Sequence, residues 1–416
     1  MAVVITKLTG IYDFTGVHND ALRDLLDDAC LAALSVRLLL EYLPINEDIM
    51  HTGVRLVESH LAVVYTISKD RKYLTAGYPS EPVVAEAAAQ VMRRFQDPVP
   101  DILARYTRSA MISAGQRGEL VMRLLLIRAF DNASKRNRGD NDQIDRPVSL
   151  FAFLEELFNV GQVNKLRVSY PASGYGERFD AAFKDAHVRF THFARLEDNS
   201  LVTSRGAWIA MTRGIAWQCA PQQEVIDCIV PVALNRGLLS EKTMTAILIQ
   251  VKNRKSPAPL VIDESKLSHK GHRFFPAETE DRRPYIALVL ELGVRNVSNL
   301  REKPPSVRLS ESSNAPMHPR YQLDVYGCSP RVYSVVKDKK AYTLLLDGRD
   351  IYLEHPRRST EPWLKRVRGY WSAKTADWTD DSGKAQGIDE DIEDDQTYLG
   401  ASQIHGESIS VVGEES

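Results

Sequence analysis

Only four of the 416 residues are cysteine (Cys30, Cys219, Cys228, Cys328), and no two of them form a Cys-x-x-Cys pair. They are too few and too scattered for a disulfide scaffold and read as buried thiols in a protein kept in a reducing compartment. Long hydrophobic runs are also missing: Tyr285 to Val294 is among the longest, well short of the roughly 18 residues that span a bilayer. The N-terminus has no charged n-region followed by an apolar h-region, so the expected location is intracellular, cytoplasm or nucleus, with no membrane partner. No G-x-x-x-x-G-K-[ST] loop, no G-x-G-x-x-G after a strand and no G-x-S-x-G elbow occurs. Their absence argues against ATP hydrolysis by this chain alone.

What is present is the composition of a soluble globular protein with a substantial core, 44% hydrophobic and 26% charged. The net charge of −2 hides an asymmetry. Residues 385–416 hold nine acids and no Lys or Arg, which leaves residues 1–384 with 53 basic against 46 acidic side chains, a net of +7. A tail so polar is expected to be disordered, either as a solubilising segment or as a mimic of nucleic-acid charge over a basic groove.

Apolar spacing predicts helices over 20–45 and 48–60, then β-like Leu61–Ile67, a charged turn at Lys69-Asp70-Arg71-Lys72, a second β-like piece to Pro79 and a helix over 83–95 opened by Pro82. Helices followed by a short hairpin resemble a winged-helix module, and the same periodicity also allows a plain helical subdomain. Further helices are predicted at 117–131 and 148–159, and 176–217 is read as helical from two stripes, Phe179, Phe183, His187, Phe190 and Trp208, Met211, Ile215. Strands follow at 224–233, 245–252, 285–292 and 321–327, then helices at about 330–350 and 361–369. This order argues an α/β or α+β fold.

The chemistry concentrates where the run Ala246–Ile249 ends in Gln250-Val251-Lys252-Asn253-Arg254-Lys255. Gln250 and Lys252 are two apart on a strand and share a face. In a second apolar run, 23 residues before Gln250, stands Asp227. A carboxylate flanked by Ile and Cys needs either a buried ionic partner or a site. Phosphodiester hydrolysis requires oxygen ligands for a metal, and Asp227, the Gln250 amide and the Val251 carbonyl can offer them, with Mg2+ the natural ion. Lys252 would orient water or offset charge on the phosphate. A supporting acid on a helix is expected, and Glu119 in Gly115-Gln116-Arg117-Gly118-Glu119 is the candidate, although helix starts favour acids for the dipole alone. Arg254 and Lys255 beside the site, and Arg357, Arg358, Lys365, Arg366 and Arg368 in an aromatic-rich segment, are candidate nucleic-acid contacts. His187 with His192, and His269 with His272, lack the companions of a zinc site.

The Asp227 … Gln250-Val251-Lys252 arrangement resembles the PD-(D/E)xK restriction-endonuclease-like superfamily. Gly77-Tyr78-Pro79-Ser80-Glu81-Pro82-Val83, Gly118-Glu119-Leu120-Val121, Glu224-Val225-Ile226-Asp227 and Gln250-Val251-Lys252-Asn253-Arg254 resemble the nuclease-like end of Crinkler-type and retrotransposon-hot-spot-type proteins, large families in fungi. The resemblance implies three parts: a helical, winged-helix-like remnant of an ATPase module over 1–105, a restriction-endonuclease-like mixed sheet flanked by helices over 106–375, and the acidic disordered tail over 376–416. It implies a metal-dependent nuclease acting on DNA, linked to mobile elements or effectors, with the missing P-loop ATPase supplied in trans. The chief departure is Gln250 in place of an acid, which weakens metal binding. The rival expectation is a catalytically inactive module that binds nucleic acid or protein on the same fold.

Overall fold

The computed structural model describes residues 1–11, 23–42, 46–94, 99–110, 112–136, 146–172, 176–220, 226–237, 239–255, 260, 262, 274–275, 282–294, 318–347 and 409–411. Helices α1 (Ala2–Thr9), α2 (Arg23–Leu38) and α3 (Glu47–Ser59) come first. Asn46 starts α3 by accepting the Ile49 N–H at 3.0 Å, and Glu47 and Asp48 complement the dipole of its first turn. Strands β1 (Val63–Ile67) and β2 (Leu74–Gly77) then form the expected antiparallel hairpin. The Tyr65 ring lies over Gly77, where a Cβ would sit 2.7 Å from it. Next are α4 (Pro82–Arg94) and α5 (Val99–Ser109).

Helix α6 (Ala114–Arg136) is buried nearly all round from Leu120 to Ile127, an almost wholly apolar stretch enclosed by protein. A capping box opens it: Gln116 N–H donates to Ser113 Oγ and Ser113 N–H to Gln116 Oε1. Arg117, 1% exposed, is satisfied by the carbonyls of Thr107, Ile112, Leu345 and Asp347. Arg37 of α2 makes a buried bidentate pair with Asp131 of α6, both contacts 2.7 Å, and its Nε donates to the Thr191 carbonyl.

After β3 (Val148–Ser149), α7 (Leu150–Leu157) and α8 (Val160–Arg167), the stretch read as one helical region divides into α9 (Phe179–Ala182), β4 (His187–Val188), β5 (His192–Arg195), α10 (Ser204–Thr212) and β6 (Ile215–Gln218). That reading is corrected. The aromatic stripe is buried, but by separate short elements converging on one core: Phe179 packs on Phe183 at 4.7 Å and Phe190 on Phe130 at 4.9 Å. Gly214, at φ 67, ends α10 in the left-handed conformation that glycine adopts without strain.

The remaining elements are β7 (Cys228–Ala233), β8 (Met244–Lys252), β9 (Tyr285–Glu291), β10 (Arg320–Tyr326), α11 (Lys339–Leu346) and β11 (Ile409–Val411). Helix α11 covers only part of the helix expected over 330–350; the one expected at 361–369 lies outside the described residues. One mixed sheet runs β11-β10-β9-β8-β7-β4-β3, with β6 pairing β7 and β5 pairing β6. Strands β8 to β11 are parallel, and β7 is antiparallel to β8. β11 falls within the segment expected to be disordered.

The fold is thus α+β, helices first and then a mixed sheet. One apolar cluster includes Leu34, Leu103, Leu124, Phe153, Ile249 and Leu290, residues from both sides of position 105. The other face of the sheet is covered by α10 and Trp217 against Leu248 and Val289.

Candidate functional site

Because β7 runs against β8, its first residues lie beside the carboxyl end of β8, and there Asp227 meets Gln250. The Asp227 backbone is held on both sides, its N–H donating to Ile249 O at 2.8 Å and its carbonyl accepting from Cys219 N–H at 2.9 Å. Its carboxylate Oδ2 accepts from Gln250 Nε2 and from the Val251 N–H, both at 2.7 Å. A strand residue points its N–H and C=O to the same edge, so the Val251 carbonyl also faces the Asp227 side of β8.

Gln250 is 1% exposed, and its Oε1 is buried without a hydrogen-bond partner. Its Nε2 cannot exchange places with Oε1 without bringing two acceptors together at Asp227. Burial pushes the Asp227 carboxyl up to about 6, and the charge of Glu119 adds to this. The Val251 N–H, the Lys252 ammonium and the Gln250 amide act in the other direction. Lys252 and Glu119 are therefore both within electrostatic reach of Asp227.

Glu119 approaches from α6. Gly118 just before it leaves room for the end of β8, since a Cβ there would lie 3.0 Å from Asn253 Cβ. Asn253 Nδ2 donates to the carbonyls of Ala114 and Leu346 at 2.9 and 2.8 Å, pinning the strand end between α6 and α11. Glu119 Oε2 accepts from Gln218 Nε2 at 2.8 Å, and Gln218 Oε1 accepts from the buried Arg123 guanidinium at 2.9 Å. The sequence reading missed Gln218 and Arg123. Arg123 stands one turn after Glu119 on an apolar helix, a spacing that signals an interacting pair.

The structure thus gathers Asp227, Gln250, Val251, Lys252 and Glu119 at one end of the sheet. Arg254 lies close by, but its guanidinium forms a two-point pair with the fully buried Glu291, at 3.0 and 2.5 Å. Lys255 is exposed. Arg357, Arg358, Lys365, Arg366 and Arg368 lie outside the described residues. Cys30, Cys219 and Cys228 are buried free thiols, and Cys328 is partly buried.

Among the described residues no three His, Cys, Asp or Glu side chains are grouped to hold a metal, and no helix is long and apolar enough to cross a membrane. The donors at this site are instead one carboxylate, one amide oxygen and one carbonyl, all hard oxygens of the type Mg2+ takes. The buried, unpaired Gln250 Oε1, on an amide bonded to the Asp227 carboxylate, is compatible with a bound cation.

This is a carboxylate-and-lysine site at the strand ends of an α+β sheet. The chain belongs to the family described as a domain of unknown function (DUF8736), whose model matches residues 27–293, from α2 through β9 and therefore the whole site. No curated protein and no solved structure matches it.

Proposed function

We propose that this protein is a metal-dependent nuclease acting on phosphodiester bonds of nucleic acid, with DNA as the expected substrate. The observation that carries the reading is the orphaned, buried Gln250 Oε1 on the amide whose nitrogen bonds the Asp227 carboxylate, at the end of the strand that carries Lys252. Asp227, Gln250 and the Val251 carbonyl would hold Mg2+, which when bound supplies Lewis acidity toward the phosphate and its attacking water. Lys252 places a cation beside the same carboxylate, where it offsets charge developing on the phosphate. Glu119, held by Gln218, provides an acceptor for a water proton from the α6 side. The resemblance to the PD-(D/E)xK superfamily supports the same assignment, and the mobile-element or effector context and the ATPase partner in trans rest on that resemblance alone.

A second reading keeps the fold and the ligand without the chemistry. It is favoured by the neutral Gln250, which leaves Asp227 the one carboxylate among the three proposed metal ligands. The test is cleavage of single- and double-stranded DNA with Mg2+ and with Mn2+, wild type beside Asp227→Ala and Lys252→Ala. Cleavage lost in both variants supports the nuclease; a folded wild type that binds DNA without cutting it supports the silent binding module.

A further inference from the structure

The β1–β2 hairpin lies outside the site and exposes large apolar and aromatic side chains beside a cationic turn. Val63, Tyr65, Ile67 and Tyr73 are 45%, 52%, 62% and 51% exposed. Among the described residues β1 pairs only with β2, whereas β2 also bridges Tyr42 on its other side. The register shifts between Val64 and Thr66, so Tyr65 sits at a bulge, which interrupts the ladder and disfavours pairing with another strand.

The tip, Ser68 to Tyr73, carries Lys69, Arg71 and Lys72 with a single acid, Asp70. That acid builds the turn. It accepts from Ser68 Oγ at 2.6 Å and from the Lys72 N–H at 3.3 Å, with the Lys72 ammonium 3.8 Å away. Ser68 N–H donates to Tyr73 O, and Tyr73 N–H donates back to Ser68 Oγ, so the cations stand on a fixed turn. Arg71 occupies the left-handed region at φ 57, where glycine would be unstrained. A long cation occupies a position that glycine would hold with less strain.

We infer that this hairpin is a nucleic-acid contact surface, with Lys69, Arg71 and Lys72 on phosphates and Tyr65 and Tyr73 against the sugar and base faces. Charge decides the occupant: three cations on a preorganised turn beside exposed aromatics suit a polyanion with π-faces, while the bulge works against strand addition by a peptide or a second copy. The inference rests on the nucleic-acid part of the reading above and is independent of its chemistry.

The test is DNA binding by the full chain in EDTA, followed by fluorescence anisotropy from low to moderate salt, for wild type and for Lys69→Ser/Arg71→Gly/Lys72→Ser. Each phosphate contact on duplex DNA contributes about 0.9 to the slope of log K against log salt, so the triple variant, which removes three cations, should lose nearly three units of slope and about a hundredfold or more in affinity at about 0.1 M salt. Arg71→Gly alone should weaken binding while raising the thermal midpoint, a combination that a purely structural arginine would not give. Tyr65→Ser/Tyr73→Ser should weaken single-stranded binding more than duplex binding. An unchanged slope in the triple variant overturns the inference and leaves the nuclease reading standing. A wild type that binds no DNA overturns both, and a normal slope loss without any cleavage by wild type in Mg2+ or Mn2+ removes only the chemistry.

Discussion

Gln250 donates its amide N–H to Asp227 Oδ2 over 2.7 Å while the oxygen of the same amide lies buried and unpaired. An unsatisfied buried acceptor costs about 1–3 kcal/mol. The carboxylate that this amide touches is one that burial already pushes up to about 6. The geometry of the pair follows from the register: Cys228 pairs with Ile249, so residues 227 and 250 are opposite neighbours one step further out.

Replacing Gln250 by Glu restores a second carboxylate. Cleavage by Gln250→Glu should reach half-maximum at lower Mg2+ than in wild type, and Gln250→Met should abolish the metal response while leaving the fold intact. Titrating Mg2+ against cleavage rate checks both.

Acid stability should show two opposing contributions. His192 is buried beside Arg37 and Arg213 and is pushed down to about 4 from 6.5. The unfolded chain therefore binds more protons between these values, and the contribution present above 6.5 is lost as pH falls toward 4, by about 3 kcal/mol. His192→Gln, which can still accept from Ser80, should flatten the fall of the urea midpoint between pH 7 and pH 4.5.

Asp227 has the opposite sign. Its folded value of about 6 lies above the ordinary 3.8, so the folded state binds the extra proton and stability falls as pH rises through 6. In metal-free buffer at pH 7, Asp227→Asn should be more stable than wild type by about 2–3 kcal/mol, and inactive. Adding Mg2+ should raise the thermal midpoint of wild type and not of the variant.

Arg37 and Asp131 form an ion pair whose arginine side chain is fully buried. Arg37→Ala should cost about 3–5 kcal/mol, because the Asp131 carboxylate loses both of its guanidinium contacts. The double variant Arg37→Met/Asp131→Leu should recover much of that loss in urea denaturation.

Gln218 separates support from chemistry. Gln218→Leu strips an acceptor from buried Arg123 and a donor from Glu119, and should lose about 1–3 kcal/mol together with activity. Gln218→Glu restores the Arg123 acceptor but faces Glu119 with like charge; its stability should recover while its cleavage rate stays low.

The site was legible where one strand carries it. The apolar run into Gln250-Val251-Lys252 fixed both the strand and the shared face of Gln250 and Lys252, and Asp227 was conspicuous as a carboxylate between Ile226 and Cys228. The Glu119–Gln218–Arg123 chain was not legible, because the stripes over 176–217 have a helical period that hid strand β6, which ends in Gln218. Short elements buried on both faces satisfy that period as well as a helix does. Arg254 read as a phosphate contact because nothing in its neighbourhood in sequence neutralises it; the parallel register of β8 and β9, which sets Lys252 opposite Glu291, supplies the partner 37 residues away.

Local spacing alone, then, determined the early helices, the β1–β2 turn, the strands β7 to β10 and the residues that share a face on β8, since these follow from backbone periods of 3.6 and 2, but not the short strands within 176–217. Which carboxylate meets which amide, which cation is neutralised and which oxygen is left unpaired were decided only by strand register and by how α6 docks on the sheet. Those contacts join residues far apart in the chain, and burial, which sets their electrostatic strength, is a property of the assembled core rather than of any segment.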